Sequence, residues 1–545
     1  MARADGPSYL SERTTSTRNF LESRILAAPM SLTRRNFLER VAAVGGATMV
    51  YDSMTAIGLL GAPADTRFDL RGQVSGVRDL VLGAGLAGLT VAYELGKLGY
   101  QCQVLEARAR PGGRAYTVRR GTISEEDGST QVCAFDEGLY FNPGPMRIPH
   151  HHSTTLAYCR ELRVPLEVFA VNCDSAYLYQ AGAGSSGRRV RIREARTDLD
   201  GYVAELLSKA VSDEALNQPL TREDREHLLE YLRRAGALDE QSRYHGSPRR
   251  GYGDLAGARD GDPRVSPPLP LSDLLGERFG WYLQSDYSYQ ATMLQVAGGT
   301  DRLPAALAAR LDGKIQYGVA AREIRHTADG VSVVYEDRSR GMRQTDADYC
   351  VCTLPLTCLA TLQTDFAPER RRAIAAVSYA SAGKMGLQFK RRFWEQDDGI
   401  YGGITRTDQE IEQIVYPSAG FLGRKGVLVG YYTQRGGRPM GERTPAERQA
   451  AALEQGGRIH PQYRTEFENG FSVAWHRVPW SRGSWATFSI DARREALPLL
   501  LEPDRRVYLA GDYLTRVNAW MEGAFESARS VATAIHTRVS QTAPV

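Results

Sequence analysis

Apolar and polar positions change period along this chain at places that mark its elements. Leu80-Val81-Leu82 is apolar without a break; Gly83-Ala84-Gly85-Leu86-Ala87-Gly88 interrupts it, and Leu89, Val91, Ala92, Leu95 and Leu98 then recur at helical spacing. This pattern predicts a strand, a tight glycine turn and a helix. A second short apolar run closes on Glu106, 18 residues after Gly88. Farther on, 199–210 and 223–235 keep helical spacing within a polar region, and a Gly/Pro/Arg-rich linker runs over about 245–272. A helix is expected over 305–311, an alternating strand at Val331-Ser332-Val333-Val334-Tyr335 and an apolar strand over 349–353. Past 360, β-like runs (386–389, 427–432, 472–475) alternate with helical stretches. A last strand, Arg506-Val507-Tyr508-Leu509, leads into Gly511-Asp512, and a closing helix begins near Gly523.

Strand, Gly-x-Gly-x-x-Gly, helix, strand and acid, in that order, describe a dinucleotide-binding unit. Gly83 makes the turn, Gly85 lets a pyrophosphate approach the backbone, and Gly88 lets the helix sit close to the sheet. The helix N-terminus offers unpaired N–H groups and a positive dipole end. Glu106 stands where a carboxylate accepts from ribose hydroxyls. Directly after it, Glu106-Ala107-Arg108-Ala109-Arg110-Pro111-Gly112-Gly113-Arg114 adds a second glycine–arginine loop. A nicotinamide enzyme has no need of that loop. FAD, with its long pyrophosphate and ribityl chain, needs the extra donors.

Composition narrows the class. Over 545 residues, 42% apolar and 24% charged content are ordinary for a globular protein of several domains. The net charge of +4 is small, and part of it lies in a basic N-terminal stretch, so nucleic acid is not an expected partner. The seven cysteines are odd in number and lack metal-ligand spacing, which favours buried thiols over disulfides or zinc. Three adjacent histidines (His150, His151, His152) cannot converge on one ion, and no metal is expected. No uninterrupted apolar run reaches membrane-spanning length. Thr33-Arg34-Arg35-Asn36-Phe37-Leu38, the weakly apolar stretch 41–60 and Ala62-Pro63-Ala64 resemble a twin-arginine export signal. Residues 1–65 are therefore read as a leader, and the expected location is periplasmic or secreted, or cytoplasmic if the leader is not used.

The loop Glu106–Arg114, the stretch Gly298-Gly299-Thr300-Asp301-Arg302-Leu303-Pro304 and the terminal Ala510-Gly511-Asp512 strand with its closing helix occur in the order seen in the flavin amine oxidase family. The chain resembles that family over roughly 75–540, and within it most resembles L-amino acid oxidases. The resemblance implies an α/β fold: a discontinuous Rossmann-like FAD-binding domain, a mixed α/β substrate-binding domain and a helical insertion. The corresponding spans are 75–145, 295–355 and 501–540 for FAD, 146–174 and 356–500 for substrate, and 175–294 for the insertion. It implies noncovalent FAD, with Ser484 where monoamine oxidases carry a flavin-linking cysteine. Contacts to FAD are expected from Gly83, Gly85, Leu86, Ala87, Gly88, Glu106, Ala107, Arg108, Gly113, Arg114, Pro145, Met146, Arg147, Val319, Gly511, Asp512, Trp520 and Met521.

One segment singles out a substrate. In Gly138-Leu139-Tyr140-Phe141-Asn142-Pro143-Gly144-Pro145-Met146-Arg147-Ile148-Pro149, proline and glycine exclude regular structure and leave Arg147 on a stiffened loop. A guanidinium so held can bind a carboxylate bidentately. The segment is similar to the G-P-M-R-[LI]-P stretch of L-amino acid oxidases, whose arginine takes the substrate carboxylate. By the same resemblance Tyr431 donates to that carboxylate, with Tyr432 the alternative because neighbours on a strand face opposite ways. The Ala519 carbonyl accepts from the amine, Trp520 and Trp485 wall the site, Tyr416 is a further pocket candidate, and Lys384 holds a water. The implied reaction is oxidative deamination of an L-α-amino acid with O2, giving a 2-oxo acid, ammonia and H2O2, by a homodimer. A decarboxylating amino acid monooxygenase, a monoamine or polyamine oxidase and a non-catalytic FAD-binding module are the other readings.

Overall fold

The computed structural model describes residues 68–182, 187–213, 220–251, 266–275, 289–434 and 436–542. The expected leader lies outside them, as does the middle of the Gly/Pro/Arg-rich linker.

The first strand, β1 (Arg78–Leu82), is buried over four of its five residues and leads through the glycine turn into helix α1 (Leu86–Lys97) and strand β2 (Gln101–Glu106). β1 lies at the centre of a five-stranded parallel sheet in the order Val507–Leu509, Tyr349–Cys352, β1, β2, Ile315–Tyr317. A parallel sheet is covered on both faces, so its strands read as continuous apolar runs. Successive residues accordingly serve two cores. Val81, Val104 and Val351 pack with α1 and the closing helix, whereas Leu80, Leu105, Cys350 and Cys352 pack with the sheet that contains Val319–His326 and Val331–Asp337.

A second, seven-stranded sheet carries the substrate side. At one end of it lie β3 (Gly383–Phe389), β4 (Gly426–Thr433) and the edge strand β5 (Phe467–Ala474), with β3 between the other two and antiparallel to both. All seven residues of β3 are buried, Lys384 included. The closing helix, α2 (Met521–Thr542), packs on α1.

The stretch read as a helical insertion is not helical throughout. Helices Ile192–Ser212 and Arg222–Gly236 do occupy it, but Tyr177–Gln180 and Arg188–Arg191 join the seven-stranded sheet, and Thr292–Val296 pairs with Leu166–Ala170. The strand Arg-Arg-Val-Arg carries one apolar residue, so no alternation marks it. The guanidinium groups of its Arg189 and Arg191 instead lie over the Tyr177 ring, 4.5 and 4.1 Å from the centroid. No helix among the described residues is long and apolar enough to cross a membrane. All seven cysteines are free.

Candidate active site

The glycine turn builds an anion cradle. Gly83 sits at φ +101°, and a Cβ on Gly88 would fall 2.0 Å from the Gly83 carbonyl oxygen, so α1 can approach only because residue 88 has no side chain. A Cβ on Gly85 would meet nothing within 4 Å. No side chain caps the helix that starts there, so its N-terminal N–H groups and dipole are left for a ligand. Glu106, buried at the end of β2, accepts from the Ala84 N–H at 2.7 Å and the Arg108 N–H at 2.8 Å. The second loop closes over the first: the Gly112 N–H donates to the Ala84 carbonyl at 2.7 Å. Arg114 donates to Asp512 Oδ1 at 2.5 Å and to the Ser484 carbonyl at 2.6 Å, and Asp512 Oδ2 accepts from the Ala519 N–H at 3.1 Å. Chain segments hundreds of residues apart thus meet around a cavity of about 420 Å³, within the range of small-molecule sites. The N–H donors of the uncapped helix, the open space at Gly85 and the buried carboxylate acceptor are what an FAD pyrophosphate and ribose require, and the residues fit that group.

The same cavity is walled by the proline loop. Arg147 is buried, its guanidinium 4.6 Å from the Tyr289 ring centroid and 5.9 Å from that of Trp520. Its Nη1 has no hydrogen-bond partner among the described residues. Lys384 faces it from β3, donates to the Gly144 carbonyl at 2.6 Å and lies 4.5 Å from the Tyr432 ring centroid. Burial, reinforced by the charge of Arg147, pushes the Lys384 amine well below the usual lysine range. Burial likewise raises the Tyr432 phenol, with Arg147 opposing. Ala519 holds φ +69°, a left-handed conformation that non-glycine residues adopt at a cost, next to its contact with Asp512.

Of the residues singled out from sequence, Arg147, Lys384, Ala519, Trp520 and Trp485 line this cavity, as do the FAD candidates except Gly88, which serves the packing of α1. Two tyrosines do not. Tyr431 is fully buried in the core on the far face of the second sheet, near Arg448 and Glu126, and Tyr432 takes the cavity side. Register is the reason: Lys384 stands opposite Tyr432 and Met385 opposite Tyr431, so the lysine and Tyr432 share a face. Tyr416 is also in that core, hydrogen-bonded to Thr405 at 2.8 Å and His460 at 2.5 Å. Sequence reasoning missed Tyr289, Gln434 and Trp475, which also line the cavity. Tyr289 lies in no motif; only its stacking on Arg147 marks it. His152 is buried with its ring edge-on to Trp520 at 5.0 Å.

A family model described as flavin containing amine oxidoreductase matches residues 86–536. The chain is 30% identical over 473 residues to a protein of Siganus canaliculatus named L-amino-acid oxidase, covering 84% of this chain and 85% of that one. It is 28% identical over 473 residues to YobN of Bacillus subtilis (strain 168), covering 83% and 93%. Among solved structures, a wild-type putrescine oxidase bound to putrescine matches with TM-score 0.58 at 15% identity, over 85% of this chain and all (100%) of that one, a likeness of fold alone.

Proposed function

This chain belongs to the flavin-containing amine oxidoreductases and uses FAD, and we propose that within that family it oxidises L-α-amino acids to 2-oxo acids. The observation that carries the proposal is the state of Arg147. A buried guanidinium with an unmet N–H costs free energy unless a ligand completes it. Among the described residues no carboxylate pairs with it, so the group that matches it is the substrate's own. A simple amine has nothing to offer there.

FAD, when bound, supplies the two-electron acceptor. The chain's own residues hold the substrate. Arg147 pairs with the carboxylate and the Tyr432 phenol donates to it. The Ala519 carbonyl accepts from the neutral amine, an arrangement supported by the commitment of the Ala519 N–H to Asp512. Trp520 and Trp485 flank the site. Carboxylate and amine are thus both held, and with Cα–H required to face the flavin only one enantiomer is accommodated; most of the rate gain of such a site comes from positioning. Lys384, whose charged form burial disfavours, donates to the Gly144 carbonyl and is placed to hold a water in the cavity. Overall, amino acid, O2 and water give 2-oxo acid, ammonia and H2O2. The leader-like N-terminus supports export of the folded, FAD-loaded protein.

An H2O2-coupled screen of the twenty L-amino acids, with D-enantiomers and the corresponding decarboxylated amines as controls, tests this. Turnover of L-amino acids alone is expected. Turnover of the amines with no response to amino acids would overturn the assignment.

A further inference from the structure

Pro143-Gly144-Pro145 precedes Arg147, and its two prolines bring no N–H of their own to anchor the loop. What holds it is a set of side chains on its carbonyls. The Pro143 carbonyl accepts from Trp475 Nε1 at 3.0 Å, the Gly144 carbonyl from Lys384 Nζ at 2.6 Å and the Pro145 carbonyl from Thr300 Oγ1 at 2.8 Å. Three consecutive acceptors are thus met by donors from three separate parts of the chain. The residue before them is held too: Asn142 Oδ1 accepts from the Thr300 N–H at 3.2 Å and from Thr117 Oγ1 at 2.7 Å. The residue after Arg147 is fixed by backbone pairing, Ile148 N–H to the Leu294 carbonyl at 2.6 Å. A Cβ at Gly144 would fall 1.9 Å from the Arg114 carbonyl oxygen, so the loop also rests directly on the second glycine–arginine loop.

We propose that Thr300, Trp475 and Lys384 form a carbonyl clamp that sets the position of Arg147, with Thr300 a positioning residue for carboxylate recognition although it is not part of the cavity wall. The proposal rests on the reading of Arg147 as the carboxylate anchor. Arg147 makes aromatic contacts that stack its guanidinium but do not fix it along the ring faces, so its placement comes from the backbone beneath it. A charge-assisted bidentate pair tolerates little displacement, and a clamped loop has lost its conformational entropy before substrate arrives. Thr300 is 1% exposed and donates through its hydroxyl to Pro145 alone; its N–H contact to Asn142 is main-chain and survives substitution.

The test uses FAD-loaded wild type, Thr300→Val and Thr300→Ser. Benzoate, a carboxylate with no amine to oxidise, is titrated against the flavin absorbance; KM and kcat are measured with the best L-amino acid; hydrogen exchange is followed in the peptide spanning 144–149. Thr300→Val is expected to weaken benzoate binding and raise KM about tenfold, to leave kcat nearly unchanged and to speed exchange at 144–149. Thr300→Ser restores all three. A merely structural threonine would lower the melting temperature without moving benzoate affinity in the loaded fraction, and that result overturns the proposal. Unchanged exchange overturns it at the clamp itself. A wild type that binds neither benzoate nor any amino acid overturns it through the reading of Arg147, so the two failures are told apart. Should Thr300→Val not load FAD, Thr300→Ala, which removes the same donor to Pro145, is read the same way.

Discussion

Lys384 and Tyr432 stand directly opposite each other on adjacent antiparallel strands, with the lysine nitrogen 4.5 Å from the centre of the tyrosine ring. This pairing orients the substrate side of the cavity. It turns Tyr432 inward, sends Tyr431 to the opposite core, and places beside Arg147 an amine whose pKa burial pushes well below the usual lysine range.

The first consequence concerns the two tyrosines. Tyr432→Phe should raise KM for L-amino acids about tenfold, the cost of losing a hydrogen bond to a charged group. Tyr431→Phe should leave KM near wild type, since that ring faces Met385 and the core. Steady-state kinetics on both variants decides the matter, and the opposite ranking would reverse the assignment.

Arg147→Ala should raise KM for L-amino acids by about ten- to a hundredfold, because a charge-assisted pair is worth roughly 1.5–3 kcal/mol. kcat falls as well to the extent that Cα–H is mispositioned. Unchanged kinetics in a folded, FAD-loaded variant would remove the carboxylate role.

FAD should leave with the supernatant on acid precipitation. Ser484, not a cysteine, donates to the Ala380 carbonyl beside the cavity at 2.7 Å. Cys358 does line the cavity, but its thiol points at the Pro479 carbonyl at 3.7 Å and burial raises its pKa, which disfavours the thiolate. Yellow colour on the protein pellet would contradict noncovalent binding.

A fourth prediction is thermodynamic. Asp79, on β1, is 1% exposed, and neither carboxylate oxygen has a partner among the described residues. Burial pushes its pKa up from 3.8 to about 8. The folded protein therefore keeps a proton that the unfolded chain releases above pH 3.8. The stability associated with this group is complete below that pH and is lost as pH rises toward 8. Asp79→Asn removes the titration. Relative to wild type it should gain stability between pH 5 and pH 8, up to roughly 4 kcal/mol at about 1.4 per pH unit. Melting temperatures of holoenzyme at both pH values check the sign, and a constant difference would show that Asp79 is ionised in the fold.

What the sequence by itself determined is the nucleotide half and the stiffened loop that carries Arg147. Gly83, Gly85, Gly88 and Glu106 belong to one contiguous strand–turn–helix–strand unit, where backbone sterics, helix dipole and chain order act over short range. Arg147 was legible for the same reason, because flanking prolines restrict a backbone locally whatever surrounds it. Only the tertiary structure decided which tyrosine faces the cavity, that Tyr416 belongs to the core, that Tyr289 stacks on Arg147, and that Thr300, Lys384 and Trp475 hold successive carbonyls of one loop. Each of these depends on strand register or on the convergence of segments tens to hundreds of residues apart. A one-residue change of register exchanges the two faces of a strand while leaving its apolar pattern nearly as good. The strand with Tyr431 and Tyr432 carries apolar or aromatic residues on both faces, so its pattern carried no record of which side the cavity would take.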